Sequence, residues 1–116
     1  MMTFDLSDLA EKFAERKESA RRTLRDVSSQ ELHDLVVHLF TDTNHPFAEP
    51  VANFVEEHKG ERAVRGETSD GISFVYYPQA DRGIWYTQKD GSLAVGLLAP
   101  RSLKALAELT QEMGKH

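Results

Sequence analysis

Residues 72–98 read ISFVYYPQADRGIWYTQKDGSLAVGLL, and the alternation of side chains in this stretch decides the fold. Apolar and aromatic residues recur with a period of two, interrupted by Pro78 to Gly83 and by Lys89-Asp90-Gly91, both rich in turn-forming residues. With residues 62–67 before them and the Ser69-Asp70-Gly71 turn signal between, the segments 62–67, 72–77, 84–88 and 92–98 read as four strands. Three short connections in succession predict an antiparallel meander.

Within the meander neither side is polar. Phe74 and Tyr76 (with Ile72) point one way, and Val75 and Tyr77 (with Ser73) the other. An antiparallel sheet wet on one side alternates apolar with polar residues, so this one needs cover on both. Either the chain's own helices lie on both faces, or helices cover one face and a second chain the other. The last hairpin has two possible registers. A three-residue Lys89-Asp90-Gly91 loop pairs Gln88 with Ser92 and puts Trp85 opposite Val95; a two-residue Asp90-Gly91 turn pairs Lys89 with Ser92. We take the three-residue loop as the expectation.

Outward from the meander the period changes to that of helices. For a first helix over about residues 5–26, Leu6, Leu9, Phe13, Ala20, Leu24 and Val27 make a stripe that thins to alanines in its middle, with Asp8–Lys12 and Glu18–Arg22 as supporting pairs. Ser28 and Glu31 form an S-x-x-E capping box that opens a second helix with the apolar face Leu32, Leu35, Val36, Leu39, Phe40. A short third helix is expected before Gly60, with Pro50 at its first position and Phe47, Val51, Phe54 and Val55 at helical spacing. A closing helix follows Pro100, carrying Leu103, Leu106, Leu109 (or Thr110) and Met113 on one side and ending at Gly114. The fold class is therefore α+β: one domain of 116 residues, with a helical half (1–60), a four-stranded antiparallel meander (61–98) and a closing helix (100–114).

Composition narrows the function without naming it. The absence of cysteine excludes disulfides, thiol catalysis and Cys-based zinc sites, and fits a reducing, cytoplasmic setting. No apolar run reaches the ~18 residues of a membrane span. The net charge of −5 lies wholly in the first half: residues 1–60 hold 12 acidic and 7 basic side chains, residues 61–116 hold 7 of each. That balance disfavours nucleic acid and suits a basic protein partner.

Candidate chemistry is sparse. Asp34, His38 and Asp42 line up along the second helix, but no further element supplies a metal ligand, so the line reads as a solvated face. His33, His45 and His58 share no metal spacing; His45 and His58, near helix boundaries, are expected in solvent. No cofactor or metal motif appears. Arg16, Lys17, Arg21, Arg22 and Arg25 cluster on the first helix, interleaved with acids. Three helices followed by a hairpin also admit a winged-helix DNA-binding regulator, though Glu56 and Glu57 occupy its would-be recognition helix. The aromatic group Tyr76, Tyr77, Trp85 and Tyr86, with Arg82 beside it, reads as a partner-binding surface, because tyrosine and tryptophan suit interfaces. The leading expectation is a small acidic non-enzymatic interaction module, a homodimer or an inhibitor- or immunity-type binder of a basic protein. The alternative is a small enzyme or ligand-binding domain with a pocket between sheet and helices.

Overall fold

The computed structural model describes residues 6–41 and 44–113; the expected helix start at Asp5, Asp42 and the stop at Gly114 fall outside them. The order of elements is α1 (Leu6–Thr23), β1 (Arg25–Val27), α2 (Ser29–Phe40), α3 (Ala48–Glu57), β2 (Ala63–Glu67), β3 (Ser73–Tyr77), β4 (Arg82–Lys89), β5 (Ser92–Leu97) and α4 (Pro100–Met113). The strands form one antiparallel sheet in the order β1-β2-β3-β4-β5, an α+β architecture. None of the helices described is long and apolar enough to cross a membrane.

The sheet has five strands rather than four. The first helix ends three residues earlier than its stripe predicts, because Arg25–Val27 pairs with Ala63–Arg65 at the sheet edge. Thr23 fixes the exchange: its hydroxyl donates to the Glu67 carbonyl (2.9 Å) and accepts from the Glu67 N–H (2.8 Å). Val27 thereby turns into the core beside Leu32 instead of continuing a helix. α2 starts as expected, with the Ser28 hydroxyl accepting from the Glu31 N–H at 3.1 Å. The Glu31 carboxylate does not close the box; it turns to Arg25 (2.7 Å) and Arg65 (3.4 Å). α3 starts at Ala48, two residues before Pro50, which still lies in the first turn where a backbone N–H has no helical partner.

Both faces are covered by the chain's own helices. Val75, Tyr77, Ile84 and Tyr86 pack beneath α2 and α3, and Val64, Phe74 and Tyr76 pack beneath α1 and α4. The last hairpin takes the two-residue turn, not the three-residue loop. Lys89 pairs with Ser92, Trp85 with Gly96 and Tyr86 with Val95. Asp90 (φ 53°) and Gly91 (φ 77°) both occupy the left-handed region, the primed turn whose twist matches the flanking strands. The indole of Trp85 lies across Gly96, where a Cβ would stand 2.7 Å from the ring. The hairpin 62–77 forms the middle of the sheet, flanked by β1 and β4, and does not project as a wing.

Gly83 tests the close packing of β3, β4 and the start of the closing segment. A Cβ there would stand 2.4 Å from the Val75 carbonyl oxygen and 3.1 Å from the Tyr76 Cα, neither of which can swing aside. Gly83→Ala is expected to lower stability by about 1–3 kcal/mol, the range for overpacking, read by denaturant titration.

Candidate functional site

The three tyrosines of the sheet differ in what their hydroxyls meet. Tyr76 is 1% exposed, and its hydroxyl donates to Asp81 Oδ1 at 2.7 Å. Tyr86, also buried, accepts from Arg65 at 2.8 Å. Tyr77 is 1% exposed, and among the described residues its hydroxyl has no hydrogen-bond partner. The successive residues Tyr76 and Tyr77 lie on opposite faces of β3, so Tyr77 faces the α2/α3 layer with Tyr86, and Tyr76 faces the other.

Against Tyr77 lies His58, the residue that closes α3. Their rings stack with centroids 4.7 Å apart and an interplanar angle of 28°. Phe54, one turn earlier on α3, packs on both rings (4.8 Å to His58, 5.6 Å to Tyr77). His58 is expected in solvent from its position at a helix boundary; it is instead 9% exposed, because it prolongs the Val51, Phe54, Val55 stripe by one turn. His45, expected in solvent too, is half-buried: its Nε2 contacts the Leu93 carbonyl at 2.8 Å and its Nδ1 accepts from the Phe47 N–H.

The turn after α3 completes the arrangement. Gly60 takes a φ of 89°, and the Glu61 N–H donates to the His58 carbonyl at 3.1 Å, folding the chain back on itself. The Glu61 carboxylate then meets His58 Nδ1 at 2.7 Å. A carboxylate only accepts, so Nδ1 carries the proton, and in the neutral ring Nε2 presents a lone pair. Like the Tyr77 hydroxyl, Nε2 is buried without a hydrogen-bond partner; among the described residues these are the two such side-chain atoms.

Both residues line a cavity of about 590 Å³ between α2 and α3. Its wall is apolar at Leu32, Val36 and Val55, and its mouth carries Gln30, His33, Asn53 and Lys59. The geometry thus joins one histidine–carboxylate pair, one phenol and an exposed polar lining of Gln30, His33, Asn53, Glu56 and Lys59. The Tyr77 hydroxyl is pushed up to about 12 by burial and by the nearby Glu61 charge, and remains a proton donor at neutral pH. Tyr76 is raised as well, by burial and its bond to Asp81.

The other sequence candidates are placed elsewhere. Of the aromatic group, Tyr76, Tyr77 and Tyr86 are interior, Trp85 is half-buried under the α1/α4 layer and Arg82 is exposed. They do not form one surface: Tyr77 and Tyr86 lie on one side of the sheet, Tyr76 and Trp85 on the other. Asp34 and His38 are exposed, and Asp34 accepts from Gln30 at 3.0 Å. No group of three metal-binding side chains occurs among the described residues. The basic cluster of α1 is largely ion-paired: Arg16 with Asp70, Lys17 with Glu108, and Arg21 with both Glu112 and Glu18, the last replacing the expected Glu18–Arg22 pair. A second cavity, of about 290 Å³, lies between α1, α4 and the sheet, with Phe13, Phe74, Trp85 and Leu106 in its wall.

No family model, curated protein or solved structure matches this chain.

The raised Tyr77 hydroxyl makes stability depend on alkaline pH. In the unfolded chain the phenol ionises near 10, whereas in the fold it holds its proton to about 12. Between those values the unfolded state binds fewer protons, so stability, fully present below pH 10, falls as pH rises toward 12. A shift of this size is worth about 2–3 kcal/mol. Urea titrations from pH 9 to 12 are expected to show the fall, and Tyr77→Phe to reduce it, with Tyr76 supplying the remainder.

Proposed function

We propose that this protein is a small ligand-binding domain whose α2/α3 cavity receives a molecule bearing an amide or carboxyl group. The observation that carries the reading is the pair of unpartnered polar atoms, Tyr77 Oη and His58 Nε2, buried on the stacked rings of two residues that line the cavity. Buried polar groups are almost always hydrogen-bonded, and leaving one unmet costs about 1–3 kcal/mol. Such an expense is typical of sites shaped for a ligand rather than for stability.

The chemistry of the pair defines the ligand. The phenol donates, and with Nδ1–H given to Glu61 the imidazole Nε2 accepts. A primary amide or a protonated carboxyl offers the complement: a carbonyl oxygen for Tyr77 and an N–H or O–H for His58. The volume suits a molecule of ordinary metabolite size, within the usual range of about 300–1,000 Å³ for such cavities. Glu61 orients the imidazole by accepting from its Nδ1–H at 2.7 Å, which holds Nε2 as the acceptor.

A protein-binding role is the second reading. The exposed Arg82 and half-buried Trp85 support it less than Leu97, which is 71% exposed on the outermost strand.

The test uses benzamide and benzoic acid as probes, followed by amide-resolved NMR. Benzamide is expected to shift resonances of residues 54–61 and 77, and Tyr77→Phe and His58→Phe to abolish the shifts. Because the Tyr77 hydroxyl has no partner among the described residues, Tyr77→Phe is also expected to keep or raise stability, by up to about 1 kcal/mol. No shift with either probe, together with a Tyr77→Phe variant clearly less stable than the parent, would overturn the reading.

A further inference from the structure

The two edges of the sheet are unlike. β1 is three residues long, and its two charged residues are engaged, Arg25 with Glu31 and Asp26 with Arg62. β5 runs for six residues, Ser-Leu-Ala-Val-Gly-Leu, with no charge, no proline and no bulge. Short length and charge are the usual protection of an edge strand, and β5 lacks both.

The register shows which main-chain groups on β5 are open. Lys89 pairs with Ser92 across the two-residue turn, and the Leu98 N–H donates to the Gly83 carbonyl at 2.9 Å. Alternation along an antiparallel ladder then turns the N–H and C=O of Ser92, Ala94 and Gly96 toward β4, and those of Leu93, Val95 and Leu97 outward. His45 already caps the Leu93 carbonyl. Val95 and Leu97 keep both groups open, among the described residues, and Leu97 is also the most exposed large apolar side chain.

We propose that β5 joins two copies of this chain, antiparallel, about a two-fold axis at Gly96. In that register Val95 of each copy exchanges both hydrogen bonds with Leu97 of the other, and His45 sets the limit of the pairing by occupying Leu93. Each Leu97 side chain is covered beside the other copy's Val95. The two Gly96 residues face each other closely across the axis, each under its own Trp85 indole. A second copy fits better than a different edge would. Pairing β5 with another molecule's β1 is limited to three residues and repeats without closing, whereas β5 with β5 closes on itself. Charge does not oppose the join, since β5 is neutral, residues 61–116 balance, and the whole excess of −5 lies in residues 1–60. The inference is independent of the α2/α3 cavity.

The experiment is sedimentation velocity of the full chain from about 1 to 300 μM, a range spanning typical homodimer affinities, with tryptophan emission recorded on the same samples. The expected result is a concentration-dependent rise from the 13.1 kDa of one chain to twice that mass, with a blue shift of Trp85 over the same range. Leu97→Lys, at a site already in solvent, is expected to weaken the association at least about tenfold while circular dichroism is unchanged. Val95→Pro, which removes only an outward N–H, is expected to do the same. A chain monomeric at every concentration overturns the proposal and leaves the edge to a strand of some other protein. A dimer insensitive to Leu97→Lys overturns it as well, and places the contact on another surface.

Discussion

Everything in this fold follows from a sheet whose strands are apolar in both directions. Such a layer has no face that water can hold, so it must be enclosed. The chain meets the requirement by distributing its helices, α1 and α4 on one side and α2 and α3 on the other. The connectivity that achieves this is economical. α1 precedes the sheet, α4 follows it, and the second pair is inserted between β1 and β2, strands that are neighbours in space. The two faces then differ in kind. The α1/α4 face settles its polar groups internally, as Tyr76 does on Asp81, while the α2/α3 face leaves two unsettled.

The architecture was largely legible in the residues. Period-two alternation placed β2 to β5, the S-x-x-E signal placed the start of α2, and Pro100 placed α4. Three features were not. β1 is too short for periodicity to distinguish from the end of a helix, and only its pairing with β2 defines it. The hairpin register turned on a choice between two loops of nearly equal suitability for Asp-Gly; backbone twist decided it, and twist is a property of the assembled sheet. The front of α3 belongs to Ala48 because proline is tolerated anywhere in a first turn, so Pro50 marks the turn and not the residue.

The cavity was half legible. His58 falls at the next position of the stripe Val51, Phe54, Val55, and that spacing alone signals burial. Its place at the helix boundary suggested solvent instead, and the boundary proved the weaker guide because the chain folds back at Gly60 and seals the ring in. Which of the three sheet tyrosines lacks a partner could not be read at all. That depends on Asp81, held at a φ of 53° in the connection to β4, and on Arg65 reaching Tyr86 from β2. Aromatic residues crowded in sequence suggested one surface, yet alternation splits them between two layers.

The placement of α2 and α3 has a bearing on how this molecule can change over evolutionary time. β1 and β2 are antiparallel neighbours, a pair that elsewhere needs only a tight turn to join it. Here the join is a two-helix excursion that walls the cavity. Its contact with the frame runs through the few sheet residues beneath it, chiefly Val75, Tyr77, Ile84 and Tyr86. Substitutions on the helix surfaces that line the cavity but do not touch those four can accumulate without disturbing strand pairing. The frame conserves shape, and the excursion is where chemical novelty can be drafted.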